Sequence, residues 1–165
     1  MKRKSSRTCR WLVDLMRVVL QRVSTAQVEI SGQVIGKIAH GLLLLVGIAP
    51  VDTEEDGAWL AGKIAAMRIF PDEAGHMNRS VRDIGGGILA ISQFTLFAST
   101  RKGARPSFND AAKPELARPL YEKFLEQLAD ALGHPVARGE FGADMKVSLT
   151  NDGPVTIVVD SKLKE

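Results

Sequence analysis

The chain has one cysteine, Cys9, in 165 residues, which excludes an internal disulfide framework and fits a reducing compartment such as the cytosol. Its three histidines, His40, His76 and His134, lie far apart with no thiols clustered near them, so the spacing of a zinc site is missing. No apolar run approaches the length of a membrane span, and the longest, residues 42–48, is the size of a strand. There is no Gly-x-Ser-x-Gly elbow, no His-Glu-x-x-His and no Cys–His pairing, which argues against a conventional triad hydrolase or a zinc protease. Gly85-Gly86-Gly87 lacks the spacing that cradles phosphates and reads as backbone freedom ahead of a strand. With neither an internal repeat nor a low-complexity linker, residues 16–165 read as a single domain able to bury its own core.

The chain also has little basic excess where it would matter. The formal net charge is +3, but residues 1–15 carry Lys2, Arg3, Lys4, Arg7 and Arg10 against Asp14, a net +4, so the other 150 residues sum to −1. Bulk charge is therefore no argument for a nucleic-acid partner, and such a reading needs a local patch. Trp11-Leu12-Val13 is too short for a signal-peptide core and Asp14 interrupts it. Residues 1–15 are expected to be a disordered basic extension or an artefact of start-site choice, with a short RNA-contacting arm as the sharper alternative. Met16-Arg17-Val18-Val19-Leu20 reads as a natural beginning.

What is present is a block of strands, then strands alternating with two helices, then strands again. Residues 17–23 read as a strand, and residues 26–30 and 33–38 as a hairpin around Ser31-Gly32. Residues 42–48 are apolar without interruption, which predicts a strand covered on both faces. Thr53-Glu54-Glu55-Asp56 is a helix start, and Leu60, Ala61, Ile64, Ala65 and Met67 continue it to about residue 68. Residues 88–97 read as a second long strand. A helix follows over about 115–132, with Leu120, Phe124, Leu128 and Leu132 as its buried stripe and Gly133 as its end; Pro119 predicts a kink or the true first turn. Residues 136–138, 145–149 and 155–159 are the final strands. The pattern predicts an α/β fold with a mixed, largely antiparallel sheet and two main helices packed on one side.

Two segments stand out. Ser92-Gln93-Phe94-Thr95-Leu96 sets three polar side chains into an apolar run, and strand alternation places Gln93 and Thr95 on one face. They either bond neighbouring backbone or line a pocket; without an adjacent base, Thr95 is a poor nucleophile. Asn151-Asp152-Gly153-Pro154 lies between two strand-like stretches and reads as a hairpin turn, but Pro154 has no N–H for the ladder that should resume there.

Together these two segments resemble the paired signature of the D-aminoacyl-tRNA deacylase (D-tyrosyl-tRNA deacylase) family. Met16-Arg17-Val18-Val19-Leu20-Gln21-Arg22-Val23 and Arg101-Lys102-Gly103-Ala104-Arg105-Pro106-Ser107-Phe108 match as well, so the resemblance runs from about residue 16 to 160 in order. It implies a barrel- or roll-like sheet with that family's fold, and a cytoplasmic enzyme that needs no metal and no cofactor. The implied reaction is hydrolysis of the ester between a D-amino acid, or glycine, and the 3′ end of tRNA, a chirality check on translation. The implied partners are D-aminoacyl-tRNA, glycyl-tRNA and a second copy of the chain, with no DNA and no membrane.

By the same resemblance, Ser92, Gln93, Phe94 and Thr95 line the catalytic pocket, with Thr95 as nucleophile or water positioner. Gly153 and Pro154, joined by a cis peptide, reach into the other subunit's pocket and exclude L-side chains. Phe141 and Met145 frame the terminal adenine, Arg22 braces the Gly-Pro loop, and Arg101, Lys102 and Arg105 meet acceptor-stem phosphates. A related editing deacylase for L-alanyl-tRNA has Pro and Ala where this chain has Ser92 and Phe94, which argues against it. A tRNA-binding module without activity is disfavoured by intact Gln93, Thr95, Gly153 and Pro154.

Overall fold

The computed structural model describes residues 15–162. The expectation placed on residues 1–15 therefore falls, apart from Leu15, outside the described residues. The elements in chain order are β1 (Arg17–Ile30), β2 (Gln33–Ile38), β3 (Gly41–Gly47), α1 (Glu54–Ala66), β4 (Phe70–Pro71), β5 (Met77–Arg79), β6 (Gly87–Ser92), a 3-10 turn (Phe94–Phe97), α2 (Pro114–Leu132), β7 (Ala137–Arg138) and β8 (Lys146–Asp160).

β1 organises the sheet. Its first half pairs antiparallel with β3, Val18 opposite Val46 and Arg22 opposite Leu42. Its second half pairs antiparallel with β2, Ala26 opposite Ile38. β8 runs antiparallel along the other edge of β1, from Arg17 opposite Asp160 to Glu29 opposite Lys146. β3 pairs parallel with β6, and β6 with β7. The sheet curls until β2 approaches β7: a Cβ built on Gly36 would stand 2.7 Å from the Arg138 carbonyl oxygen, so only glycine allows the two backbones so close. The result is a mixed, nearly closed barrel with α1 and α2 packed against each other over one face.

That arrangement explains why β3 is apolar at successive positions. Leu42, Leu44 and Val46 join Val18, Leu20, Ile88 and Ala90 beneath the helices, among them Leu60, Ile64, Tyr121, Phe124 and Leu128. Leu43 points the other way, into the curl, with Val23, Ala26, Val28, Ile38, Leu89 and Ile91. Each fully buried side chain of this size is worth about 1.5–3 kcal/mol over leaving it in water, so a central strand with two covered faces anchors both cores. α1 begins where the sequence predicts, with the Asp56 carboxylate accepting the Thr53 N–H at 2.9 Å.

Four local expectations are corrected. Pro114, not Pro119, occupies the first turn of α2; Pro119 lies inside the helix, where its missing N–H leaves the Glu115 carbonyl without its usual partner. Residues 17–23 and 26–30 form one strand, because a register shift opposite β8 absorbs the polar Ser24-Thr25 step. Residues 88–97 do not form one strand: β6 stops at Ser92 and Phe94–Phe97 coil into the 3-10 turn.

The fourth concerns Asn151-Asp152-Gly153-Pro154, which does not reverse the chain. Both flanks belong to β8 and pair with β1. Asn151 faces Val23 and Thr156 faces Gln21, so five steps on β8 oppose two on β1 and three residues' worth of chain loops out. An Asp-Gly step can turn a chain only if its flanks pair with each other; here β1 is long enough to take both.

Candidate active site

The site grows from the end of β6. Ser92 closes the pairing with Val46, and the Gln93 N–H donates to the Val46 carbonyl at 2.8 Å, tying the departing chain to β3. The turn then closes through Leu96 N–H to the Gln93 carbonyl at 3.2 Å and Ala98 N–H to the Thr95 carbonyl at 3.1 Å. Gln93 and Thr95 meet by this coiling rather than by strand alternation: the Gln93 side-chain amide donates to the Thr95 hydroxyl. Phe94 and Thr95 open the turn, so their main-chain N–H groups have no acceptor within it.

Ser92, Gln93 and Phe94 line a cleft of about 430 Å³, whose far wall carries Phe141 and Met145. Thr95 is not among its lining residues and is reached through Gln93. α2 holds Phe141 from behind: the Arg118 Nη2 donates to its carbonyl at 3.2 Å, and the guanidinium stands 5.3 Å from its ring centroid. The Tyr121 ring lies 5.9 Å from that of Phe141. The Tyr121 hydroxyl donates to the Ala90 carbonyl at 3.1 Å, and burial pushes its ionisation above the ordinary phenol range, so it stays a donor. At the mouth, Phe94 is 58% exposed and meets Phe108 edge to face at 5.3 Å. Flat apolar walls with few polar groups suit a planar aromatic ligand.

The Gly153–Pro154 loop is built separately. Its peptide is cis, and Gly153 sits at φ +121°, a region that side-chain-bearing residues rarely adopt. Arg22 donates from Nε to the Asp152 carbonyl at 3.1 Å and from Nη1 to the Ile69 carbonyl at 2.6 Å. The two motifs stay apart within one chain. Arg22 lies opposite Leu42 while Gln93 follows the Val46–Ser92 pair, four residues further along β3, or about 13 Å at the rise of a strand.

Arg101, Lys102 and Arg105 are exposed in a loop that Ser99 and Ser107 pinch with reciprocal main-chain bonds of 2.8 and 2.9 Å. None of the three forms an ion pair among the described residues. Arg101 borders a second hollow of about 260 Å³ beside Arg17, Leu96 and Asp110, outside the main cleft. No group of three His, Cys, Asp or Glu residues is placed to hold a metal among the described residues. Sequence reasoning missed Tyr121, Phe108 and Arg118. The chain's single tyrosine, beside the apolar stripe of α2, was the available signal, because a buried phenol needs a partner.

Known proteins resemble this chain along most of its length. Residues 19–160 match the family described as D-Tyr-tRNA(Tyr) deacylase. A protein of Opitutus terrae named D-aminoacyl-tRNA deacylase is 63% identical over 150 residues, 91% of this chain and 100% of that protein. Its namesake in Akkermansia muciniphila is 61% identical over the same shares. A solved structure described as a c-Myc DNA Unwinding Element Binding Protein matches with a TM-score of 0.81 at 41% identity, covering 87% of this chain and 97% of that one. Another, described as a probable eukaryotic D-amino acid tRNA deacylase, has the same fold, with a TM-score of 0.77 at 18% identity over 88% and 99% of the two chains.

Proposed function

The chain belongs to the D-Tyr-tRNA(Tyr) deacylase family and is a hydrolase of D-aminoacyl-tRNA; from that premise we propose that it also accepts glycyl-tRNA and excludes L-esters with a main-chain wall at Gly153-Pro154. The terminal adenosine enters the cleft between Phe94 and Phe141, with Met145 beneath the base, and the ester reaches Gln93. Water, assisted by the 2′-hydroxyl of that adenosine, adds to the ester carbonyl carbon. The bond to the 3′-oxygen then breaks, that oxygen takes a proton, and free amino acid and tRNA leave. The N–H groups of Phe94 and Thr95, which have no acceptor within the turn, stabilise the developing oxyanion. Gln93 is held by Thr95, whose role is positional.

The wall works through backbone shape. Main-chain atoms at the α-carbon clash with any L-side chain whatever its identity, whereas a D-side chain points away and glycine has none. Gly153 and Pro154 come from a second copy of the chain. The single observation that carries this is the separation of about 13 Å along β3 between Arg22 and Gln93 in one chain. β8 supports it as an edge strand, with its loop projecting and Val158 59% exposed. The loop of Arg101, Lys102 and Arg105 meets acceptor-stem phosphates in the cytoplasm. A single small basic loop on a body of net charge −1 suits a tRNA end better than duplex DNA.

The test is a deacylation assay with D-tyrosyl-, L-tyrosyl- and glycyl-tRNA, with sedimentation of the same samples. Hydrolysis of the D- and glycyl-esters by a dimer is expected. Equal rates on D- and L-esters, or full activity in a monomer, would overturn the wall and the shared site respectively.

A further inference from the structure

Among the described residues that line the main cleft, Lys113 alone carries a charge. The rest of the lining is neutral and mostly apolar, with Phe94, Phe108, Tyr121 and Phe141 as its aromatic surfaces. Lys113 sits just ahead of α2, exposed, and forms no ion pair among the described residues. Its main chain is fixed: the Lys113 carbonyl accepts the N–H groups of Leu116 and Ala117 at 3.0 and 2.9 Å, and the neighbouring Ala112 N–H donates to the Ile48 carbonyl at 2.9 Å. The ammonium is thus anchored at the rim on a flexible stem. Those same bonds occupy the Leu116 and Ala117 N–H groups, and Pro114 has none, so among the described residues that line the cleft the Lys113 side chain is the cation available to an anion there.

A lone cation on the rim of a neutral aromatic cleft complements a ligand with a flat base and one fixed anion. A nucleoside at the 3′ end of an RNA has such an anion, the phosphodiester on its 5′-oxygen. We propose that Lys113 binds the phosphate joining the terminal adenosine to the preceding nucleotide, and so sets the direction in which the strand leaves the cleft. This rests on the reading that the cleft takes the terminal adenosine. It is separate from the loop of Arg101, Lys102 and Arg105, which does not line the cleft.

The test uses two small substrates, the 3′-D-tyrosyl esters of adenosine and of adenosine 5′-phosphate. For the wild-type protein, KM for the phosphorylated ester should be lower by about fivefold, the scale of one exposed ion pair. Lys113→Gln should collapse that ratio to near one, and Lys113→Arg should keep it. With D-tyrosyl-tRNA, Lys113→Gln should also reduce the slope of log KM against log salt by about 0.7. Adenosine should compete with D-tyrosyl-tRNA for the wild-type protein; if it does not, the adenosine reading fails and the proposal with it. If adenosine competes but Lys113→Gln keeps the preference for the phosphorylated ester, the role of Lys113 alone is overturned.

Discussion

Arg22 grips Asp152 at two points, donating from Nε to its carbonyl oxygen at 3.1 Å and lying 3.3 Å from its carboxylate. The His40 Nε2 stands 3.5 Å from the same carboxylate oxygen, and the Arg22 side chain is only 12% exposed. The residue ahead of Gly153 is therefore fixed by a planar fork with little water to replace it. A lysine presents its three N–H groups from a single nitrogen rather than from a planar fork, so it loses the geometry in which Nε and Nη1 reach the Asp152 and Ile69 carbonyls separately. Arg22→Lys should lower thermal stability by about 1–3 kcal/mol and cut the ratio of D- to L-tyrosyl-tRNA hydrolysis by about tenfold. A folded variant with its selectivity intact would show that the fork does not position the wall.

Gly153 tests the wall directly. A Cβ there would stand 2.7 Å from the Arg22 Nη2 and 3.0 Å from the Val155 Cγ2, at a backbone φ of +121°. Gly32 offers a control, because its φ of +81° is also positive but nothing lies within 4 Å of its Cβ position. Gly32→Ala should cost about 1 kcal/mol from the backbone alone and leave the D/L ratio as it is. Gly153→Ala should cost about 2–3 kcal/mol and reduce D-ester hydrolysis, because it pushes on Arg22 as well. Urea midpoints and the two ester rates separate these outcomes; equal behaviour of the two variants would remove the special status of Gly153.

Thr95 has a hydrogen bond from Gln93, and no ionisable side chain is bonded to its hydroxyl among the described residues. A hydroxyl without a base is a weak nucleophile at neutral pH. Thr95→Ala should therefore keep substantial activity, with kcat lower by about tenfold, the scale of one lost hydrogen bond near a polar reaction. Single-turnover kinetics decide the matter: an acyl-enzyme burst in the wild type, or a fall to the uncatalysed rate in the variant, would make Thr95 a covalent nucleophile instead.

Much of the frame is legible in the residues, for reasons the structure makes clear. The unbroken apolar run of β3 signals two covered faces, and Leu42 and Leu43 do enter different cores. The spacing of Leu120, Phe124, Leu128 and Leu132 gives α2 almost to its ends. Periodicity fails where apolar residues are kept for packing in a turn: Phe94, Leu96 and Phe97 continue the pattern of β6, yet the backbone coils after Ser92. It fails again at Asp152-Gly153, because local residues specify a bend but not which strand the flanks will pair with. The closure of the cleft is harder to read, because Tyr121 reaches its floor only through the docking of α2 on the sheet, and Phe108 and Lys113 reach its mouth and rim from the loop ahead of that helix.

Asp52 offers a prediction about stability that owes nothing to the active site. Its side chain is wholly buried, one carboxylate oxygen accepts the Ala49 N–H at 2.6 Å, and the other has no hydrogen-bond partner. Burial is the main cause that pushes its pKa up to about 6; the charge of Asp56 adds to this, while the Ala49 N–H and the Lys162 ammonium at 3.8 Å oppose it. Between the ordinary carboxylate range and about pH 6, the folded chain holds a proton that the unfolded chain has released. Stability from this residue therefore falls as pH rises through that window, and the cost is complete above it. Asp52→Asn keeps an oxygen for the Ala49 N–H and removes the buried charge. It should stabilise the protein by about 1–2 kcal/mol at pH 8, less than the full shift implies because the attraction to Lys162 is lost, and by almost nothing near pH 4. Urea unfolding of both proteins at the two pH values measures the difference, and a gain of the same size at each pH would show that the Asp52 charge is not its source.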